Sequence, residues 1–323
     1  MRPSEDDFMS IKMKQDQEEA VKGQIMENIN VQGKEYHLMK GNPENVQYRA
    51  SFNALTEKTF GFNFEQWNQG GYWTNQYLPY SILDGNTVVS NVSVNLMDFD
   101  VCGKPKRLIQ LGTVMTDDAY RNQGLSRVLM DMVIKEWKDK GEAIYLFAND
   151  SVLSFYPKFG FHAVDQYQYT KAIRKKVKER AAKKLNMSDE SHRKLVYEKE
   201  KASSSMAKIS MVGNAELIMF YCIAFMKDSV YYLEEYDTVV VAHEEQGLLE
   251  VFGVFCKEEV SLDLILDHMA KEDTKRVRLC FTPKETESYQ FIPLEGEGTL
   301  FILGNGLDLF GEQLLMFPLL SHA

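Results

Sequence analysis

Val114, Met115, Thr116, Asp117, Asp118, Ala119, Tyr120, Arg121, Asn122, Gln123, Gly124, Leu125 and Ser126 form the stretch on which the reading of this chain turns. An apolar run gives way to a short polar loop. Beyond Gly124, the residues Val128, Leu129, Met132, Val133 and Trp137 recur at helical spacing, and Gly141 stands where a helix should stop. The spacing predicts a strand, a loop and then a helix over about 124–140. Successive N–H groups at such a loop, together with the positive end of the helix dipole, make a site for an anion such as a pyrophosphate. Gly124 would let a phosphate approach the backbone. A glycine between a strand and a helix is also an ordinary turn residue, and on the residues alone both readings stand.

Upstream, a strand is expected over 34–39 and a helix after Gly41, Asn42 and Pro43. The alternation of Val88, Val92, Val94 and Leu96 with Ser90 and Asn91, Ser93, Asn95 predicts a half-buried strand over 87–96, followed by a strand over 107–116. Downstream, the apolar run 143–148 is short enough for a buried strand, a short helix should carry Phe155 and Tyr156 to Gly160, and His162 opens another strand. Strands alternating with helices give the fold class α/β, with a mixed sheet.

A chain of 323 residues, 44% hydrophobic, can bury two cores. We divide it into a leader over 1–30, a first domain over 31–172, a basic helical linker over 173–206 and a second, smaller domain over 207–323. The stretch 171–201 has 12 Lys or Arg against 5 Asp or Glu. It reads as an exposed linker or, alternatively, as a surface for acidic partners or a nucleotide's phosphates. In the second domain a helix is expected over 215–226, strands over 238–243 and 248–255, a helix over 261–270 and a strand over 276–281. That order repeats the second half of the first domain but has no counterpart of the loop at Arg121.

A net charge of −10 argues against broad nucleic-acid binding. The acidic, polar first 19 residues do not resemble a secretory signal, and the longest apolar stretch, 217–226, is half of what a membrane span needs. Cys102, Cys222, Cys256 and Cys280 are far apart, without ligand spacing to any histidine, so they read as free thiols of a cytoplasmic protein, and no metal is implied. Gly304 and Gly306 read as a turn rather than a second phosphate loop. Phe64, Trp67, Tyr72, Trp73, Tyr77 and Tyr80 cluster around Gly70 and Gly71, either as the wall and lid of an acceptor site or as ordinary packing.

Arg121, two variable residues, Gly124, one variable residue and Ser126 resemble the acyl-CoA loop of the GNAT N-acetyltransferase superfamily. Asn149, Tyr156, Lys158, Gly160 and Phe161 follow at the intervals of that family's second motif. The chain departs from the family's usual glycine at Ser126 and from its frequent His-Pro pair at Asp117 and Asp118. The resemblance covers about 34–170 and implies a GNAT acyl-CoA N-acyltransferase fold, with a degenerate GNAT-like unit behind it as in tandem members. A lipid-carrier-like second domain is the rival, which a long apolar pocket there would favour.

By the same resemblance, Val114, Met115 and Thr116 would offer backbone groups to the pantetheine arm of acetyl-CoA. Amides from Asn122, Gln123, Gly124, Leu125, Ser126 and Arg127 would hold its pyrophosphate, with Arg121 in the loop, and Asn149 would add a polar contact. The two central parallel strands would part at a bulge near 113–115 and near Phe147. Tyr156 would protonate the departing thiolate, and a backbone N–H of the central strand, from Met115, would hold the oxyanion. The acceptor would be a small-molecule amine or a peptide amine, with no nucleic acid or membrane partner. Glu65, Asp98 and Asp100 are candidates for the base, or else solvated carboxylates. A non-catalytic acyl-CoA sensor and an inactive scaffold are the competing readings.

Overall fold

The computed structural model describes residues 25–173, 182–258, 260–296, 298–304, 310 and 313–323. The leader through residue 24 and Gly306 lie outside them. The described chain divides into two compact units that interleave in sequence. One takes residues through Glu65 with Tyr77–Val94 and Thr113–Lys135, and the other takes Gln66–Gln76, Asn95–Gly112 and Glu136–Ala323.

In the first unit the strand order is β1 (Ile25–Val31), β2 (Lys34–Lys40), β3 (Tyr77–Asp84), β4 (Thr87–Val101) and β5 (Lys104–Thr116). This unit holds only residues 87–94 of β4 and 113–116 of β5. β1 falls almost wholly within the stretch 1–30 expected as a leader. It lies antiparallel to β2, pairing Val31 with Lys34 across a turn in which Gln32 and Gly33 both take positive φ. Helix α1 (Val46–Phe60) starts where the Asn45 side chain accepts the Tyr48 N–H and ends at left-handed Gly61. Its Phe52 ring packs against Phe64 and Tyr77, and Thr56 reaches the Met115 sulfur at 3.8 Å. A side chain on Gly41 would collide with the Tyr48 ring, so glycine there lets the chain pass over that phenol.

The second unit continues β4 and β5 and adds β6 (Ala143–Ala148), which is parallel to β5, then β7 (His162–Val164). It also holds a seven-stranded sheet that includes β8 (Thr238–Glu245), β9 (Leu248–Phe255) and β10 (Arg276–Leu279). In that sheet β9 crosses through a helix (Leu262–Met269) to a parallel β10. This is the connection that helix α3 (Leu125–Trp137) makes between β5 and β6. The second body is thus itself α/β, with Val240, Leu249, Val251, Ile265, Leu266 and Val277 in its core. A strand over Thr299–Leu303, absent from the sequence reading, pairs antiparallel with both β6 and β7. Its ladder partners are about 150 residues away, a range that local periodicity does not encode. The expected single helix carrying Phe155 and Tyr156 is instead two 3-10 turns, Asp150–Val152 and Tyr156–Phe159, because Pro157 cannot donate a helical hydrogen bond.

Cys222, Cys256 and Cys280 are buried and unbridged, while Cys102 is exposed. In the aromatic cluster Phe64, Trp67, Trp73, Tyr77 and Tyr80 are buried and Tyr72 is half-buried, and Trp67, on α2 (Glu65–Gln69), stacks on Trp73 and donates to the Glu216 carbonyl at 2.7 Å. Among the described residues no helix is long and apolar enough to cross a membrane.

Candidate acyl-CoA site

The first unit brings residues 114–116 and 121–127 together on one strand, loop and helix. Asp117 fixes the start of the loop: its carboxylate accepts the Ala119 N–H at 3.0 Å and faces Lys58 Nζ at 2.8 Å. Lys58, first, and then the Ala119 N–H hold that carboxyl below its ordinary range. The chain then makes a 3-10 turn (Asp118–Tyr120), and the Tyr120 phenol donates to Asp84 at 2.6 Å. Gln123 is held from both sides, donating to the Ala119 carbonyl at 3.0 Å and accepting from the Tyr36 hydroxyl at 3.1 Å.

Asn122 and Gly124 on either side of it are left-handed, at φ 61° and 84°. Such residues in a turn bring successive N–H groups to one side and form an anion-binding concavity. Helix α3 begins at Leu125, and its first N–H groups have no intrahelical carbonyl to bond. A Cβ on Gly124 would meet only Val31 Cγ1, at 4.0 Å, so the space over the loop is open and the backbone angle is what demands glycine. The loop therefore has the shape and polarity to take a pyrophosphate. Arg121 is well exposed and pairs with Asp118 at 2.8 Å, three residues earlier; Arg127 is also exposed, Leu125 is buried and Ser126 partly so.

Above the loop, Met115 is buried, with Val114 and Thr116 half-buried on either side. Ser90 Oγ lies 3.2 Å from the Met115 carbonyl and 2.8 Å from Thr116 Oγ1. Thr113 has φ 47°, a left-handed backbone that a β-branched residue rarely adopts. The parallel ladder between β5 and β6 runs only from Leu108 and Ala143 to Gln110 and Tyr145. Among the described residues it stops there, three residues before Thr113.

Asn149 and Tyr156 belong to the second unit. Asn149 is exposed and accepts from the Ser151 hydroxyl at 2.5 Å. Tyr156 is 5% exposed, packed against Phe155, Phe161 and Phe301, and burial pushes its phenol up to about 12. It stays protonated at neutral pH, suited to donating a hydrogen bond to a departing sulfur but a weaker acid than an exposed tyrosine.

Glu65, Asp98 and Asp100 are committed to structure. Glu65 receives Arg49 at 3.0 Å and Asn53 at 3.2 Å, Asp98 binds the Arg107 guanidinium, and Asp100 accepts the Gly103 N–H at 2.7 Å. Conversely, the second unit holds polar groups that sequence reasoning passed over. Gln110, Tyr145 and His322 bury side-chain atoms without a hydrogen-bond partner among the described residues, and His322 stacks on Phe147 at 3.5 Å. Burial lowers the His322 imidazole to about 3, so it is neutral. No sequence signal marks these residues, since their importance lies in burial among distant segments. Glu200 lines a cavity of about 330 Å³ with Met206, Ile209, Phe252 and Phe281, and burial raises its carboxyl to about 7.

Residues 47–164 match the family model described as Acetyltransferase (GNAT) domain. Residues 47–164 are a GNAT acetyltransferase domain. The GNAT assignment places this domain in the acyltransferase class. No curated protein matches the chain.

Among solved structures, a GCN5-related N-acetyltransferase from Kribbella flavida is 15% identical with a TM-score of 0.52, covering 83% of this chain and 71% of its own. A conserved protein of unknown function from Enterococcus faecalis V583, described as a probable N-acyltransferase, is 15% identical with a TM-score of 0.55, covering 85% and 74%. Eis1 from Mycobacterium abscessus is 10% identical with a TM-score of 0.54, covering 83% and 72%. At these identities the likeness is one of fold, and it extends beyond the GNAT domain into the second unit.

Proposed function

We propose that the protein transfers an acetyl group from acetyl-CoA to a primary amine, on a small molecule or a lysine side chain, by direct attack in a ternary complex. The observation that carries this reading is the loop of Asn122 and Gly124, left-handed at both, opening into the N-terminus of α3. Backbone N–H groups of 122–127 would hold the pyrophosphate, and the main chain of 114–116 would take the pantetheine arm. The amine nitrogen forms a bond to the thioester carbon as the carbon–sulfur bond breaks. The sulfur leaves as a thiolate, and the amine's surplus proton passes to water. Motif spacing assigns Tyr156 to that thiolate as a protonated hydrogen-bond donor. We further propose an amine acceptor rather than nucleic acid or membrane, and a cytoplasmic setting.

Calorimetric titration of acetyl-CoA into the wild type and Gly124→Glu tests the reading. Binding in the micromolar range is expected, and the substitution should abolish it by bulk and by repelling the pyrophosphate. Absence of binding in the wild type would overturn the proposal.

A further inference from the structure

Six side chains of the first unit form an unbroken line of hydrogen bonds that ends on the strained residue of β5. Tyr48 on α1 meets Ser81 on β3 at 2.9 Å, and Ser81 meets Asn91 Oδ1 on β4 at 2.8 Å. Asn91 Nδ2 reaches Ser93 Oγ at 2.9 Å, Ser93 reaches the Tyr77 hydroxyl at 2.9 Å, and Tyr77 meets Thr113 Oγ1 at 2.7 Å. Asn91 Nδ2 also lies 3.0 Å from the Thr113 carbonyl. Tyr48, Ser81, Asn91, Ser93 and Tyr77 are all buried. Buried polar groups that are fully satisfied in this way rigidify what they touch.

Two facts set the direction of every proton: the Thr113 carbonyl can only accept, so the amide atom beside it is the Asn91 NH2, and the Ser93 hydroxyl donates to Tyr77. Asn91 Oδ1 therefore accepts from Ser81, Tyr48 donates to Ser81, Ser93 donates to Tyr77, and Tyr77 donates to Thr113 Oγ1. Burial pushes the Tyr48 and Tyr77 phenols above their ordinary range, so both keep the proton this order requires.

Two of these bonds act on one peptide unit. The C=O of Thr113 and the N–H of Val114 belong to the same planar trans peptide and point in opposite directions. Drawing the Thr113 carbonyl toward Asn91 on β4 therefore turns the Val114 N–H away from β4. Tyr77, on the Thr113 hydroxyl, opposes relaxation of the left-handed φ of 47°. A non-glycine residue keeps such a conformation only where its surroundings over-determine it.

We propose that Asn91, backed by Tyr77, is a positioning residue for acyl transfer that locks the Thr113–Val114 peptide so that the Val114 N–H faces the thioester carbonyl of acyl-CoA. This rests on the acyl-transfer reading above and moves the oxyanion donor from Met115 to Val114. The role is distinct from bulk stability because it concerns only the acyl carbonyl, which CoA lacks.

The test compares acetyl-CoA with CoA on the full chain. The C=O stretch of bound acetyl-CoA, carbon-13 labelled at the thioester carbonyl, is recorded for the wild type, Asn91→Asp and Tyr77→Phe. Asn91→Asp keeps the shape but removes both donated bonds, and Tyr77→Phe removes one hydroxyl. The wild type is expected to lower the carbonyl frequency relative to free acetyl-CoA. Asn91→Asp should return it toward the free value and cut the ratio of acetyl-CoA to CoA affinity by about threefold to tenfold, as loss of one hydrogen bond would, with CoA affinity unchanged. If Asn91→Asp does not fold, Tyr77→Phe carries the test with the same readouts and a smaller shift. A folded variant that binds CoA and keeps both the shift and the ratio overturns the positioning role. A wild type that binds neither ligand overturns the acyl-transfer reading itself.

Discussion

Lys58 Nζ lies 2.8 Å from Asp117 Oδ2 and so ties α1 to the residue that caps the turn ahead of the loop at Gly124. The pair is largely solvent-exposed on the lysine side and contributes little Coulomb energy by itself. The Ala119 N–H also donates to this carboxylate, at 3.0 Å, and loss of that cap sets the expected cost. Asp117→Ala is expected to lower stability by about 0.5–1 kcal/mol, as loss of a helical cap does, and to weaken acetyl-CoA binding. Because the folded carboxyl titrates below its unfolded value, its contribution is present above that unfolded value and fades as pH falls through the folded one. Urea midpoints of wild type and variant at neutral pH and near pH 3 check this, and the two should converge in acid.

Gly124→Ala separates backbone angle from bulk. Open space surrounds the position, so the methyl group fits, but φ 84° is a left-handed conformation costing an L-residue about 1–2 kcal/mol. We expect that loss of stability in denaturant melts, with acetyl-CoA binding weakened rather than abolished. Full loss of binding in Gly124→Ala would show that the loop tolerates no side chain when occupied.

Tyr156→Phe should reduce turnover by about tenfold, as loss of one hydrogen bond to the leaving sulfur would, and leave acetyl-CoA affinity intact. With the phenol pushed up to about 12, the wild-type rate should show no fall from phenol ionisation up to pH 10. An alkaline limb that is present in the wild type and missing in Tyr156→Phe would contradict this.

His322 gives an acid-sensitivity prediction of opposite origin. Its folded value of about 3 lies below the unfolded value of about 6.5. Stability is therefore complete above that unfolded value and lost as pH falls toward the folded one, by on the order of 2 kcal/mol at pH 5. His322→Phe, which preserves the stack on Phe147, should flatten the fall in urea midpoint between pH 7.5 and pH 5.

Glu200 should behave in the reverse sense. A carboxyl raised to about 7 destabilises the fold as pH rises from its unfolded range through that value. Glu200→Gln is expected to raise the thermal midpoint at pH 8 and to change it little at pH 5, measured by calorimetry.

Local periodicity was enough to place several elements. Residues 143–148 and 248–255 are strands over the expected positions, and Val128, Leu129, Met132 and Val133 lie on the expected helix. The sequence by itself also determined the loop at Gly124, because a backbone angle available mainly to glycine leaves a mark at a single position.

Which side chains meet depends on the long-range pairing of the folded chain. The strand at 299–303 acquires its place from partners at 144–148 and 162–164, and the aromatic cluster from 64 to 80 becomes core because it finds other rings to bury against. The line from Tyr48 to Thr113 joins four elements through residues that, read singly, are ordinary hydroxyls and one amide. Hydrogen bonds between segments tens of residues apart leave no period and no motif, so their effect on the Thr113 backbone was invisible until the chain was folded.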